Sequence, residues 1–483
     1  LATPFEKKPS RSMYEGTDDT MPRPPFVLLV NPWITDFAAF DLWAKPLGLL
    51  ALAALLRQGG CGVGFIDCLD RDDPFTNRHP EITPGKDRAY GTGKYPRAPM
   101  VKPDAIRDIP RNYYRYGIHP ESYLRRLAET PEPDMVWMTC SMTYWYPGVQ
   151  LAVGLLRRVW PEVPVWLGGT YARLCPEHAR RWTGATAVYT GTQVELPEVL
   201  KAATGFSVRN RPAWETLAKA PVPALDLLGR LRYAPILTGT GCPYRCPYCA
   251  SGLLQPRRER RSADAVFAEI AGWHQRYGVA DFAFYDDALL IDAEDSLKPA
   301  LKRIARELPG LRFHTPNALH VRQLSAEWCD LLAAAGFRTL RLGLETTRPE
   351  RQREWGGKVE ETMFREAVGN LRASGFTAKE IGAYLLCGLP GQNPSEVAEA
   401  IETVEAEGAC PYLAEYSPIP GTPMWRQAVA ESPYPVETEP LTHNNTFFAV
   451  RRPDFSLEDL EALKEKARRS RRRLLGDAAS GRA

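Results

Sequence analysis

The chain has 483 residues, of which 44% are hydrophobic and 25% charged, and its formal net charge is +3. That describes an ordinary soluble chain with room for two or three domains. The near-even charge balance does not call for a nucleic-acid partner, and no apolar run approaches a membrane span. No secretory leader is visible, so the expected compartment is the cytoplasm, where thiols stay reduced.

Residues 1–25 are polar and lack a hydrophobic period, which predicts a mobile tail. From 26 onward the pattern changes. Strands are predicted at 26–30, 62–67, 135–140, 165–169 and 187–191, with helices at 45–56, 147–160 and 195–202. This alternation predicts an α/β domain over 26–203, a doubly wound, flavodoxin-like parallel sheet. Ligands of such sheets bind beyond the carboxyl ends of the strands. Those ends carry Asn31-Pro32-Trp33, Ser141-Met142, Gly168-Gly169-Thr170 and Gly191-Thr192. Residues 69–120 interrupt the alternation and are rich in Pro, Arg, Asp and Tyr. Their aromatic content predicts an ordered insertion packed over a cofactor or substrate.

Residues 204–232 read as a linker. Over 233–430 the alternation resumes, with strands predicted at 234–238, 281–285, 312–315, 339–344, 381–386 and 412–416. Six strands with helices between them predict an incomplete (β/α)6 barrel. Barrels carry their chemistry at the carboxyl ends of strands. There stand the segment 239–250, Asp286-Asp287, Pro316-Asn317, Glu345 and Cys387-Gly388. Residues 431–483 predict a helical carboxyl-terminal cap. Ser456 is placed as a helix N-cap with Asp459 three residues on. The basic run 468–473 reads as a solvated helix face.

The most informative stretch is Cys242-Pro243-Tyr244-Arg245-Cys246-Pro247-Tyr248-Cys249, three of the ten cysteines at C-x3-C-x2-C spacing. Thiolates are the soft ligands that iron–sulfur clusters take, and the two prolines keep the segment a loop. No fourth cysteine follows nearby, so one iron of a cubane would stay open. A structural zinc site would need a fourth ligand, and a disulfide does not suit this compartment.

The spacing resembles the signature of the radical SAM superfamily. The resemblance implies a 4Fe-4S cluster on Cys242, Cys246 and Cys249 whose open iron chelates S-adenosylmethionine. It further implies that Tyr248, Asp286, Asp287, Asn317, Glu345 and Gly388 line the S-adenosylmethionine site. The preceding domain is similar to the cobalamin-binding domain of one branch of that superfamily. The matching positions are Asn31, Lys45, Gly48, Ser141, Gly168, Gly169 and Gly191, implied to contact cobalamin. The D-x-H-x-x-G pattern that supplies a lower cobalt ligand in many such domains is missing. The resemblance implies a cobalamin-dependent methyltransferase acting on an unactivated centre. Its substrate would be a small molecule or peptide, and its reductant a flavodoxin or ferredoxin. A non-methylating rearrangement or cyclisation is the alternative, as is a methylthiotransferase with a second cluster on Cys68, Cys140 and Cys175. No residue is singled out as general acid or base.

Overall fold

The computed structural model describes residues 23–476. The expected tail therefore falls almost wholly outside the described residues, as do the last seven residues of the expected cap.

The first sheet holds β1 (Phe26–Asn31), β2 (Gly62–Asp67), β3 (Met135–Thr139), β4 (Val165–Gly168) and β5 (Ala187–Val188). All pairs are parallel, and the spatial order is β5-β4-β3-β1-β2. Alternate residues of β1 feed two cores. Leu28 and Val30 pack on one face with Val136, Met138 and Val165. Val27 and Leu29 pack on the other, against helix α1 (Leu47–Gln58) and α4 (Leu196–Thr204). Helices α2 (Pro120–Glu129) and α3 (Tyr146–Val159) cover the first face. A sheet covered on both faces needs apolar residues at consecutive strand positions, which is why these strands read as unbroken hydrophobic runs.

The insertion carries short strands of its own. Tyr114–Tyr116 pairs antiparallel with Ile34–Asp36 and with Arg97–Pro99, and Gly93–Lys94 pairs with Phe40–Asp41. It thus folds back on the loop after β1 and fixes that loop's path.

The second sheet holds β6 (Ala234–Ile236), β7 (Asp281–Phe284), β8 (Arg312–His314), β9 (Phe337–Glu345), β10 (Ile381–Cys387) and β11 (Cys410–Glu415). They are parallel and lie side by side in sequence order. Helices α5 (Ala263–Tyr277), α6 (Leu297–Glu307), α7 (Ala326–Ala335), α8 (Glu361–Ala373) and α9 (Pro394–Ala406) connect them. Phe282, Phe284, Phe313 and Phe337 form a stacked aromatic seam under α5 to α7.

The cap ends in α10 (Leu457–Leu475). Ser456 and Asp459 form the reciprocal capping box expected from their spacing. The basic run is partly consumed in docking: Arg473 pairs with Glu405 of α9, and the Arg471 guanidinium donates to the Pro411 carbonyl at 2.6 Å.

Close packing also fixes the first domain's binding edge. A Cβ on Gly148, in the first turn of α3, would lie 1.9 Å from the Trp33 carbonyl oxygen. Gly148→Ala is therefore expected to cost ~1–3 kcal/mol through overpacking against backbone. Urea unfolding checks this, and an unchanged midpoint would contradict it.

Candidate functional site

The cysteine loop leaves the second sheet at the carboxyl end of β6. A short hairpin, Gly239–Thr240 with Glu259–Arg260, closes its base. Inside it the Cys249 amide donates to the Cys246 carbonyl at 3.0 Å, and the Met424 amide donates to the Pro247 carbonyl at 3.0 Å. All three cysteines are free thiols. Cys242 Sγ lies 3.7 Å from His320 Nε2, and Cys249 Sγ lies 3.2 Å from Ser251 Oγ. Burial pushes the Cys242 and Cys246 thiols up, and the neighbouring cysteines add to it. A bound cation would reverse that preference, since coordinated thiols are deprotonated. Among the described residues the one set of three metal-ligating atoms within 4.8 Å of one another is His79, Glu81 and His119.

Beside this loop, between the two sheets, lies a cavity of about 560 Å³. From the first domain it is lined by Asn31, Lys45, Gly48, Ser141 and Gly169, among others. From the loops at the carboxyl end of the second sheet come Ser251, Gln255, Tyr285 and Asp287. The carboxyl ends of two parallel sheets therefore face one another across it. Three joints hold the facing: the Lys45 amide donates to Tyr285 Oη at 2.9 Å, Trp43 stacks on His314 at 4.5 Å, and Arg232 pairs with Asp72 of the insertion.

Five of the seven predicted cobalamin positions line this cavity. Gly168 and Gly191 are not among its lining residues. A Cβ at Gly48 would meet nothing within 4 Å. Gly169 has φ +90°, and a Cβ there would strike Thr139 and Cys140, so only glycine fits the turn. Asn31 Nδ2 donates to Asp67 Oδ1 at 2.8 Å, joining the ends of β1 and β2. Lys45 lies 3.5 Å from the Asp41 carboxylate.

The predicted S-adenosylmethionine positions divide. Asp286 is buried, and it accepts from the Thr238 amide at 3.0 Å, from Thr238 Oγ1 at 2.6 Å and from Arg260 at 3.2 Å. Its carboxylate is a strut between β6 and the loop after β7. Asp287 instead faces the cavity, and burial raises its carboxyl. Asn317 Nδ2 donates to the Tyr285 carbonyl at 2.9 Å, leaving its own amide oxygen uncommitted among the described residues. Glu345 ends β9 at a register shift, with φ +67°, a strained conformation for a non-glycine residue. Tyr248 packs edge-on against Trp355 at 6.2 Å, and its hydroxyl stands beside the Cys246 thiol. Gly388 has φ +82°, but its bare face packs on Phe448, 2.5 Å from a would-be Cβ.

Two residues that the sequence reading passed over stand at the loop. Lys358 Nζ pairs with Glu345 Oε1 at 2.5 Å, in electrostatic reach of Cys246 and Cys249. His320 stands against Cys242, and burial with the nearby Lys358 ammonium holds it down at about 4. Gly356-Gly357 just before Lys358 was the available signal. Arg322 clamps this turn through the Gly357 and Lys358 carbonyls.

Residues 236–404 match the Radical SAM superfamily. Over 342 residues the chain is 25% identical to an uncharacterized methyltransferase, PH0819, of Pyrococcus horikoshii, spanning 64% of this chain and 72% of that protein. The fold is similar to that of TsrM, a radical S-adenosylmethionine methyltransferase from Kitasatospora setae solved with cobalamin and a [4Fe-4S] cluster bound. That match has a TM-score of 0.64 at 20% identity and covers 91% of each chain. It is also similar to OxsB, a cobalamin-dependent S-adenosylmethionine radical enzyme, with a TM-score of 0.54 at 13% identity, over 93% of this chain and 62% of that one. Among the described residues no helix is long and apolar enough to cross a membrane.

Proposed function

We propose that this chain, a radical SAM protein by its residues 236–404, is a cobalamin-dependent methyltransferase. The observation that carries the reading is the cavity between the two sheets. One wall is built from the strand ends of the first domain, and the other adjoins the three-cysteine loop. Strand order β5-β4-β3-β1-β2 is the flavodoxin-like order, and six parallel strands in sequence order suit an incomplete barrel.

Cys242, Cys246 and Cys249 would hold three corners of a [4Fe-4S] cluster. The residues fit: three thiols on one loop, no fourth cysteine on it, and a cavity beside them. The bound cofactors would supply one-electron cleavage of S-adenosylmethionine and methyl transfer. The chain supplies the rest. Asp287, raised by burial and free of Arg260, is placed to accept from the methionine ammonium. Glu345 and Lys358 offer one charge of each sign beside the thiols, enough to orient a zwitterion. The apolar walls, including Trp33, Leu69 and Leu254, exclude water. The substrate would be an organic molecule or peptide, and a small electron-transfer protein would supply the electron.

Cys68, Cys140 and Cys175 do not support a second cluster. Cys140 lines the cavity, but Cys68 and Cys175 do not, and Cys68 is fully buried.

The chain's histidines give the reading a test. None of the seven lies in a D-x-H-x-x-G pattern, and none lines the cavity. A bound cobalamin would therefore lack a histidine ligand from this chain. The cobalt(II) form is expected to show no nitrogen superhyperfine splitting from a protein histidine in its paramagnetic spectrum, and such a splitting would contradict the reading.

A further inference from the structure

A second cavity, of about 790 Å³, lies between β11 and α10, and none of the three loop cysteines lines it. Four consecutive residues of that strand, Tyr412 to Glu415, line it. The Tyr416 amide donates to the Cys387 carbonyl, which fixes the ladder phase: even-numbered residues of β11 bond to β10. The odd-numbered residues Pro411, Leu413 and Glu415 therefore turn their backbone groups outward. Arg471 occupies the Pro411 carbonyl. Among the described residues nothing bonds to the outward amide and carbonyl of Leu413 or of Glu415. One Glu415 side-chain oxygen is likewise buried without a hydrogen-bond partner.

The surroundings are basic. Arg111, Arg451, Lys464, Arg468 and Arg471 line the cavity against Glu415 and Glu461. Lys464 pairs with both glutamates, and Arg468 with Glu465. Arg111 and Arg451 have no ion-pair partner among the described residues and rest on the Phe37 and Tyr434 rings. Phe447 and Phe448 supply apolar floor.

An unpaired strand edge with open amides and carbonyls, flanked by two free guanidinium groups, has the chemistry to take an extended acidic peptide. We propose that such a peptide adds to β11 as a seventh strand, and that it is the substrate or the segment that delivers it. The second clause rests on the reading of this protein as a methyltransferase, whereas the peptide site does not.

The test uses a fluorescein-labelled peptide of four Val-Glu repeats, followed by anisotropy on the full chain. Leu413→Pro removes an outward amide together with a side chain that packs on the second sheet's core, so Leu413→Ala, which keeps the amide, is its control and should bind like the parent; in both, the β10 ladder and S-adenosylmethionine cleavage without substrate should survive. Binding of the Val-Glu peptide is expected, at least tenfold weaker on Leu413→Pro and on Arg111→Glu/Arg451→Glu. A Val-Lys repeat peptide should not bind. Absence of Val-Glu binding, or equal binding by Leu413→Pro, would overturn the proposal. So would self-association of the chain that Leu413→Pro abolishes, because the edge would then belong to a second copy. Loss of S-adenosylmethionine cleavage with peptide binding intact would count against the methyltransferase reading and leave the peptide site standing.

Discussion

Replacing Cys242, Cys246 and Cys249 together with Ala is expected to abolish iron binding and production of 5′-deoxyadenosine. The effect should be total, because no other cysteine stands on this loop to replace a lost corner ligand. The fold should persist. The loop is pinned by backbone bonds, Cys249 to Cys246 and Met424 to Pro247, that do not use the thiols. Cys249 is exposed and Cys242 and Cys246 are half-buried, so the truncations open no sealed core. Anaerobic reconstitution of the variant, followed by iron analysis and chromatography of the nucleoside, checks this. Formation of 5′-deoxyadenosine by the triple variant would contradict it.

The second large effect concerns stability. Asp286→Ala is expected to destabilise the second domain by about 3 kcal/mol, since it strips partners from a buried amide, a hydroxyl and a guanidinium at once. Arg260 keeps carbonyl partners at Ala288 and Ile291, which limits the loss. Burial outweighs Thr238 and Arg260 and pushes the Asp286 carboxyl up to about 6. The folded chain thus holds this proton to higher pH than the unfolded chain does. Its contribution to stability is full below about pH 4 and falls as pH rises towards 6, by roughly 3 kcal/mol in total. Asp286→Asn cannot titrate and should lack that decline. Urea unfolding of the apoprotein across this window separates the two variants. Equal stability of Asp286→Ala and the parent would show that the carboxylate bears no structural load.

Asp286 also shows where sequence reading stops. Its position after a buried strand correctly placed it at the carboxyl end of β7. Position in a strand-end pair cannot say which of two adjacent carboxylates turns inward. Burial decides that, and it depends on Thr238 and Arg260, 48 and 26 residues away. The two sheets were legible because their strands are continuous apolar runs, a pattern forced by helices on both faces. Strand ends were less so: β5 is only Ala187–Val188, where a longer run to 191 was expected. Short helices such as Pro349–Glu354 and Trp425–Glu431 escaped because they are held by tertiary contacts rather than by an amphipathic period. The cysteine loop was legible because its chemistry is local. Lys358 and His320 were not, since they reach the thiols from loops 78 or more residues away in sequence or from across the barrel mouth. Gly388 shows a further limit. Its positive φ was consistent with close approach of a ligand, but the approaching group is the Phe448 ring.

The central claim is that one chain brings a three-cysteine cluster loop and a cobalamin-type domain to a shared cavity. Anaerobic reconstitution with iron, sulfide and hydroxocobalamin, followed by counting iron, sulfide and cobalt per chain, tests it most directly. The account predicts one [4Fe-4S] cluster and one cobalamin, with the cluster lost in the triple-cysteine variant and the cobalamin retained. A chain that binds zinc in place of a cluster, or that takes up the cluster but no cobalamin, would contradict it.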